Sequence, residues 1–163
     1  MLASLLECKG RFNLEIFRNG EKIDEESFNN GIVTVGKNSL LDVAFRAQTQ
    51  LTAWYAGLID NSGFSALSAS DTMSSHTGWT ESTAYSDSTR ISWSPGAASS
   101  GSITNGTAMT FNINGTATLY GCFIVSNSTK GGTSGTLWST AAFSSTKSVV
   151  NGDQVKLTYT LNA

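Results

Sequence analysis

Hydrophobic and polar residues alternate along much of this chain, which is the pattern expected of β-strands with one buried face. In the stretch RFNLEIF the apolar residues Phe12, Leu14 and Ile16 fall on one side, and Asn19-Gly20 follows as a two-residue hairpin signal. TAMTFNI and QVKLTYTL repeat the alternation, and the faces predicted to be half-buried consist of Met109, Phe111, Ile113, Val155, Leu157, Tyr159 and Leu161. The pattern therefore predicts an antiparallel sheet.

Two other stretches are apolar without alternation, namely TAWYAGLID at 52–60 and LYGCFIV at 119–125. A strand that is apolar on both faces must be covered by a layer on each side. Turn signals recur between the strands, at Asn61-Ser62-Gly63, Pro95-Gly96, Asn105-Gly106, Asn114-Gly115, Gly131-Gly132 and Asn151-Gly152. Many short strands at such spacing predict a mainly β fold, an antiparallel β-sandwich of jelly-roll-like type.

One segment has helical rather than strand periodicity. After GIVTV, which predicts a short strand, KNSLLDVAFRAQ places Ser39 three residues before Asp42 in an arrangement that resembles a helix cap. The apolar residues of this segment share one helical face, formed by Leu40, Leu41, Ala44 and Phe45. The sequence therefore predicts one short helix near residues 38–47.

The length of 163 residues suits a single domain, which we expect to span 1–163. Of the 22 charged residues 13 fall in residues 1–46, so 10–50 stands out as a more charged hairpin-plus-helix region, with a compositional boundary near 46–52. Only 13% of the chain is charged and the net charge is −2. Because no basic surface is expected, the charge argues against nucleic acid and anionic membranes as partners.

Cys8 and Cys122 are the two cysteines, and no signal-peptide pattern precedes them, since MLASLLECKGRF lacks a basic region and a long apolar run. We therefore expect both thiols to be reduced, with Cys122 as a small buried strand residue. The apolar runs are also too short to cross a membrane. These features predict a soluble protein that is made in the cytoplasm.

The stretch SDTMSSHTGWTE at 70–81 contains the chain's single histidine, His76, near Asp71 and several hydroxyls. A serine nucleophile needs a base and an orienting acid within reach, and zinc needs three or four ligands. We expect instead a structured connection in which Ser70 caps one helical turn, Gly78 ends it and Trp79 lies in the core. The remaining acids are expected to be solvated, at Asp60, Asp71, Glu81, Asp87 and Asp153. The sequence thus predicts no enzyme, with no catalytic, cofactor-binding or metal-binding residues.

Two loop features could suggest a binding site. NSTKGGTSGT at 127–136 lacks the spacing of a phosphate-binding loop and is interpreted as a flexible hairpin connection. Trp79, Trp93 and Trp138 flank loops and form a candidate exposed aromatic platform for sugars, although burial in the core is the alternative for each.

The first residues, MLASLL, contain three leucines that precede the first clear strand. Leu2, Leu5 and Leu6 are candidate partner contacts, and residues 1–9 could then form an N-terminal arm. A frayed terminus and a first strand of the sheet are the alternatives, and the sequence does not choose among the three.

Several stretches resemble a family of tailed-bacteriophage virion structural proteins: the FNLEIFRNGEK hairpin, WYAGLID, DTMSSHTGWTE, TKGGTSGTLWSTA and the closing NGDQVKLTYTLNA. The resemblance runs from about residue 10 to the end. It implies a non-enzymatic virion component without a cofactor, with a capsid decoration (cement) protein on the outer capsid as the preferred role.

The partners expected from this resemblance are the major capsid protein and copies of the chain itself in a homo-oligomer, within the virion after synthesis in the host cytoplasm. A tail- or fibre-associated module that binds a receptor or glycan is the alternative. An enzyme that acts on cell wall or glycan is a third class, which the thin inventory of acids and histidine disfavours.

Overall fold

A computed structural model describes residues 7–163, so Leu2, Leu5 and Leu6 lie outside the described residues. Within 7–163 the chain forms eleven strands and one helix. In chain order they are β1 (Lys9–Arg18), β2 (Glu21–Asn29), β3 (Gly31–Ile32), α1 (Thr34–Phe45), β4 (Trp54–Asp60), β5 (Thr80–Ser82), β6 (Ile91–Trp93), β7 (Ser102–Thr104), β8 (Met109–Asn112), β9 (Ala117–Val125), β10 (Leu137–Val149) and β11 (Gln154–Asn162).

The strands form two antiparallel sheets that pack face to face. The first sheet has the order β2-β1-β11-β7, with β8 also paired to β11, and the second has the order β3-β10-β9-β4-β5, with β6 also paired to β4. The chain passes from one sheet to the other between β2 and β3, β6 and β7, β8 and β9, and β10 and β11. The fold is therefore an antiparallel β-sandwich with one short helix, as the sequence predicts.

The hairpin of β1 and β2 turns at the predicted dipeptide. Asn19 and Gly20 have φ angles of 53° and 83°, the left-handed values that a two-residue hairpin turn of type I′ requires. On its other side β1 pairs with β11 over its length, from Lys9 opposite Asn162 to Phe17 opposite Gln154. The charged region at 10–50 thus shares a sheet with the last strand.

The main core lies between the two sheets, and its residues come from the alternating strands as expected. Phe12, which is fully buried, stacks on Tyr159 with ring centroids 4.4 Å apart. The Tyr159 hydroxyl accepts hydrogen bonds from Trp138 Nε1 at 2.8 Å and Asn30 Nδ2 at 2.9 Å. Burial raises the pKa of Tyr159 to about 12. The tyrosine therefore stays neutral and ties the two sheets together.

A second, smaller cluster covers the outer face of the second sheet. Phe123 and Ile59 point into it from β9 and β4, and the connection at 61–79 supplies Met73 and Trp79 as its lid. The side chains of the same two strands that point the other way belong to the main core. The prediction that 52–60 and 119–125 contribute strands with layers on both sides is therefore confirmed.

Ion pairs hold the sides of the sandwich. Lys147 on β10 reaches across to β2, where its Nζ lies 2.9 Å from Asp24 Oδ2 and 3.3 Å from Glu26 Oε2. Arg18 donates two hydrogen bonds of 2.8 Å to Asp153. These bonds hold the pKa of the Asp153 carboxyl below its usual range. Because Asp153 is buried, the expectation that it would be solvated is wrong.

The helix differs from the prediction at its start. It begins at Thr34, four residues before the predicted 38–47, and ends at Phe45. No side chain caps its first turn, and Ser39 lies inside it. The first turn is fixed instead by the sheet and a neighbouring loop, since the backbone N–H of Val33 bonds Trp138 O and that of Thr34 bonds Ala69 O. The strand predicted for GIVTV is accordingly reduced to β3.

Candidate binding surface

Helix α1 presents its apolar side to solvent. Leu40, Leu41 and Phe45 are 42%, 52% and 78% exposed. The side of the helix that meets the sandwich carries buried Gly36 and half-buried Val35, Ser39 and Val43. The predicted apolar face thus exists, but its largest side chains point away from the core, whereas an ordinary surface helix buries such residues.

Close packing of the helix against β10 explains this orientation. A Cβ atom built on Gly36 would lie 2.6 Å from Trp138 O and 2.9 Å from Trp138 Cα. Only glycine lets the backbone of α1 approach a strand backbone this closely. The contact with the sheet therefore uses a residue without a side chain, and the leucines and Phe45 remain outside.

An apolar groove of about 190 Å³ lies beside the helix, between the ends of the two sheets. It is lined by Leu40, Val43, Leu51, Trp54, Trp93, Ile103 and Leu161 together with a few neighbours, none of which is charged. Leu40 lines the groove and also belongs to the exposed helix face. Through Leu40 the groove adjoins the exposed face (Leu40, Leu41, Phe45), and we call the face and the groove together the helix–groove surface. Such an exposed patch is typical of an interaction site.

The three tryptophans of the predicted platform do not form one exposed surface. Trp79 and Trp138 are only 1% and 7% exposed, so the prediction of an exposed platform is wrong for both. Trp79 lies in the outer cluster, whereas Trp138 and half-buried Trp93 line the groove. The Trp93 indole is held by a 3.1 Å hydrogen bond to Asn105 Oδ1. Burial in the core, the alternative given above, holds for Trp79 and Trp138.

The stretch at 70–81 is a structured connection, but not a helical turn. Thr72 and Ser75 form an isolated β-bridge there, so the prediction of a turn capped by Ser70 is wrong. His76 stacks on Trp79 at 3.9 Å, and its Nδ1 lies 3.0 Å from Trp79 O. Asp71 Oδ2 accepts a 3.0 Å hydrogen bond from Trp79 Nε1. His76 and Asp71 therefore both hold Trp79, and no hydrogen bond joins them as in a catalytic triad.

A buried ion pair that the sequence did not predict joins Arg90 and Glu81, whose side chains are 0% and 5% exposed. Arg90 donates to both carboxylate oxygens at 3.0 and 2.7 Å and to Gly132 O at 2.6 Å. Its guanidinium also lies 5.2 Å from the centre of the Phe123 ring. The expectation that Glu81 would be solvated is wrong, because the arginine comes from a neighbouring segment that no short-range pattern reveals.

The same contacts anchor the glycine-rich connection at 127–136. The backbone N–H of Gly131 donates to Glu81 Oε2 at 2.8 Å. Lys130 Nζ donates to the backbone oxygens of Tyr85 and Asp87 at 2.8 and 2.6 Å. The loop predicted to be a flexible hairpin connection is thus tied to its surroundings by three charged side chains.

Within residues 7–163, no group of three histidine, cysteine, aspartate or glutamate side chains is placed to hold a metal ion. Cys8 and Cys122 are both free thiols, and burial raises the pKa of Cys122 well above its usual value. In this same part of the chain no helix has the length and apolar character needed to cross a membrane.

Comparison of the sequence with protein-family models gives no match. Comparison with curated proteins gives no match either.

Proposed function

We propose that this protein is a non-enzymatic structural component of a tailed-phage virion, a decoration protein that binds the outer capsid surface and stabilises the head. Its partners are the major capsid protein and further copies of itself. The resemblance of several sequence stretches to virion proteins suggests this class. The observation that carries the proposal is the helix–groove surface, because it offers a protein partner an apolar area that the sandwich itself leaves uncovered.

Leu41 and Phe45 are the main anchors of this surface, because both project from the helix and are more than half exposed. Burying an apolar side chain of this size on a partner contributes about 1.5–3 kcal/mol. Association has its own entropic cost, so one such contact gives only weak binding. Many copies on a capsid lattice that also contact one another would make the combined attachment strong.

The rest of the molecule suits a clamp that must keep its shape. The Arg90–Glu81 pair fixes the glycine-rich connection, and Lys147 links the two sheets. Buried charged side chains of this kind, fully hydrogen-bonded, hold loops in one arrangement. A stiff body lets a contact at the helix restrain the neighbouring capsid subunits.

The alternative, a tail- or fibre-associated module that binds a glycan, relied on the tryptophan platform. Because Trp79 and Trp138 are buried, the structure offers less support for this alternative than the sequence did. The candidate contacts Leu2, Leu5 and Leu6 lie outside the described part of the chain, and Lys9, the last residue of the predicted arm, belongs to β1.

The proposal can be tested with capsids assembled without this protein. We expect Leu41→Ser and Phe45→Ser to weaken co-sedimentation with such capsids at least tenfold each, because each removes an exposed apolar anchor. Ile23→Ser is the matched control, since Ile23 is 50% exposed on β2, away from the helix. Circular dichroism and thermal melts should show that all three variants fold.

Equal binding by the Leu41 and Ile23 variants would contradict the role of the helix–groove surface. If the wild-type chain binds no capsid but binds tails or a glycan array, the decoration role is wrong and the tail-associated alternative applies.

A further inference from the structure

Lys147 places its amine between two carboxylates inside the sandwich. Its side chain is only 7% exposed, and its Nζ lies 2.9 Å from Asp24 Oδ2 and 3.3 Å from Glu26 Oε2. Asp24 and Glu26 belong to β2 in the first sheet, whereas Lys147 belongs to β10 in the second. One amine and two carboxylates therefore meet between the two sheets.

The register of β2 turns both carboxylates towards the apolar interior. Glu26 is paired with Leu14 and Asp24 with Ile16, and paired residues of neighbouring antiparallel strands project from the same face of a sheet. Leu14 and Ile16 are buried in the main core. Charged groups at the border of such a core are costly to desolvate, whereas an amide that joins two of them carries no charge.

The two carboxylates differ in how they are held. Glu26 accepts hydrogen bonds from the backbone N–H of Ser144, at 3.2 Å, and from the Ser144 hydroxyl, and its side chain is 12% exposed. Asp24 is closer to the amine and is 38% exposed. Glu26 is therefore fixed where it can relay protons, and Asp24 is the carboxyl group from which a released water can reach solvent.

We propose that Lys147 and Asp24 condense into an intramolecular amide, with Glu26 as the general acid–base. The Lys147 ammonium first passes a proton to Asp24 through Glu26, which leaves a neutral amine beside a neutral carboxylic acid. The amine lone pair forms the N–C bond to Asp24 Cγ, and Glu26 takes a proton from the nitrogen and returns it to the departing hydroxyl. The C–O bond breaks, the carbonyl double bond re-forms, one water leaves, and Glu26 regains its original state.

Proximity is what drives this condensation. Well-oriented groups within one molecule react at effective concentrations of about 10⁵–10⁸ M. Burial lowers the pKa of Lys147, but hydrogen bonding to Asp24 and the charge of Glu26 raise it overall. The neutral amine is therefore scarce, and we expect the amide to form slowly. Because β2 and β10 bring the groups together only in the folded chain, folding precedes the bond and does not depend on it.

The test is the intact mass of the purified full-length chain after incubation in the folded state. We expect the wild-type mass to be lower by one water than that of Lys147→Arg, after correction for the substitution itself, because a guanidinium does not form this amide. Trypsin should fail to cleave after Lys147, and tandem mass spectra should show the peptide that begins at Ile23 joined to the one that contains Lys147. Equal corrected masses would overturn the proposal.

A matched pair of variants tests the roles of the carboxylates. Glu26→Gln should slow the loss of water about a hundredfold or more, because it removes the proton relay. Glu25→Gln makes the same change at the neighbouring position, which is 49% exposed, and should lose water as the wild type does. Circular dichroism should show that both variants fold.

Equal rates of water loss in these two variants would overturn the role of Glu26. Tandem mass spectra that place the amide on Glu26 would overturn the assignment of Asp24. Because all of these measurements are made without capsids, they are independent of the decoration role.

Discussion

Arg90 shows how a single residue can fix several segments at once. It lies between β5 and β6, and its guanidinium has partners in Glu81, Asn127 and Gly132. A buried charge that keeps all its partners can be tolerated, whereas one that loses its counter-charge is strongly destabilising.

We therefore expect Glu81→Gln to lower the free energy of unfolding by about 3 kcal/mol, because it leaves the Arg90 charge buried without a counter-charge. Glu25→Gln makes the same chemical change in an exposed pair with Lys22 and should cost under about 0.5 kcal/mol. Urea unfolding of both variants is the measurement. A cost for Glu81→Gln as small as that of the control would mean that water reaches the pair.

At the scale of residues, the sequence predicted what local geometry determines. Asn19-Gly20 was predicted because only a few dipeptides suit that turn. The partners of Arg90 were not predicted. Asn127 and Gly132 are far from Arg90 in sequence and come close to it only when β4, β5 and β9 form one sheet. The stacking of His76 on Trp79 was not predicted either, because it depends on how the connection at 70–81 folds.

At the scale of elements, helix α1 is the segment where prediction and structure differ most. Periodicity correctly grouped Leu40, Leu41 and Phe45 on one face, but it does not determine whether that face points to the core or to solvent. The predicted start near Ser39 followed a capping pattern. The observed start at Thr34 depends on backbone contacts with Trp138 and Ala69, which no local signal encodes.

The close approach of α1 to β10 can be tested with Gly36→Ala. Alanine favours a helix by about 1 kcal/mol over glycine, but its Cβ would meet the Trp138 backbone, and such overpacking costs about 1–3 kcal/mol. We expect a net loss of stability by urea unfolding and weaker capsid co-sedimentation, because α1 is displaced.

Gly106→Ala is the matched control, because a Cβ there has nothing within 4 Å, and it should leave both stability and binding unchanged. A Gly36→Ala variant more stable than wild type would indicate that the helix can move away from β10 without loss.

At the scale of the whole molecule, we expect the fold to be independent of covalent and metal cross-links. Between residues 7 and 163 both cysteines are free, and no group of three histidine, cysteine, aspartate or glutamate side chains is placed to hold a metal ion. We expect the melting temperature to be the same with and without EDTA, and with and without dithiothreitol. A fall of several degrees with either reagent would reveal a metal or a disulfide, including one between copies.

The sandwich was predictable because its signals repeat along the chain. The alternation of apolar and polar residues indicated the half-buried strands. The stretches that are apolar on both faces correctly predicted a further covering layer, which is the connection at 61–79 with Met73 and Trp79. The helix–groove surface was not predictable, since it is defined by what the fold leaves uncovered.

The pairing of β1 with β11 has a mechanical consequence. Lys9 and Asn162 lie side by side at one end of the ladder that joins these strands. Tension that pulls these two residues apart would break the hydrogen bonds between β1 and β11 one at a time. Tension along the strands would instead load all of these hydrogen bonds together. In the proposed decoration role, a capsid contact at α1 would therefore load this molecule more favourably than contacts at the ends of β1 and β11.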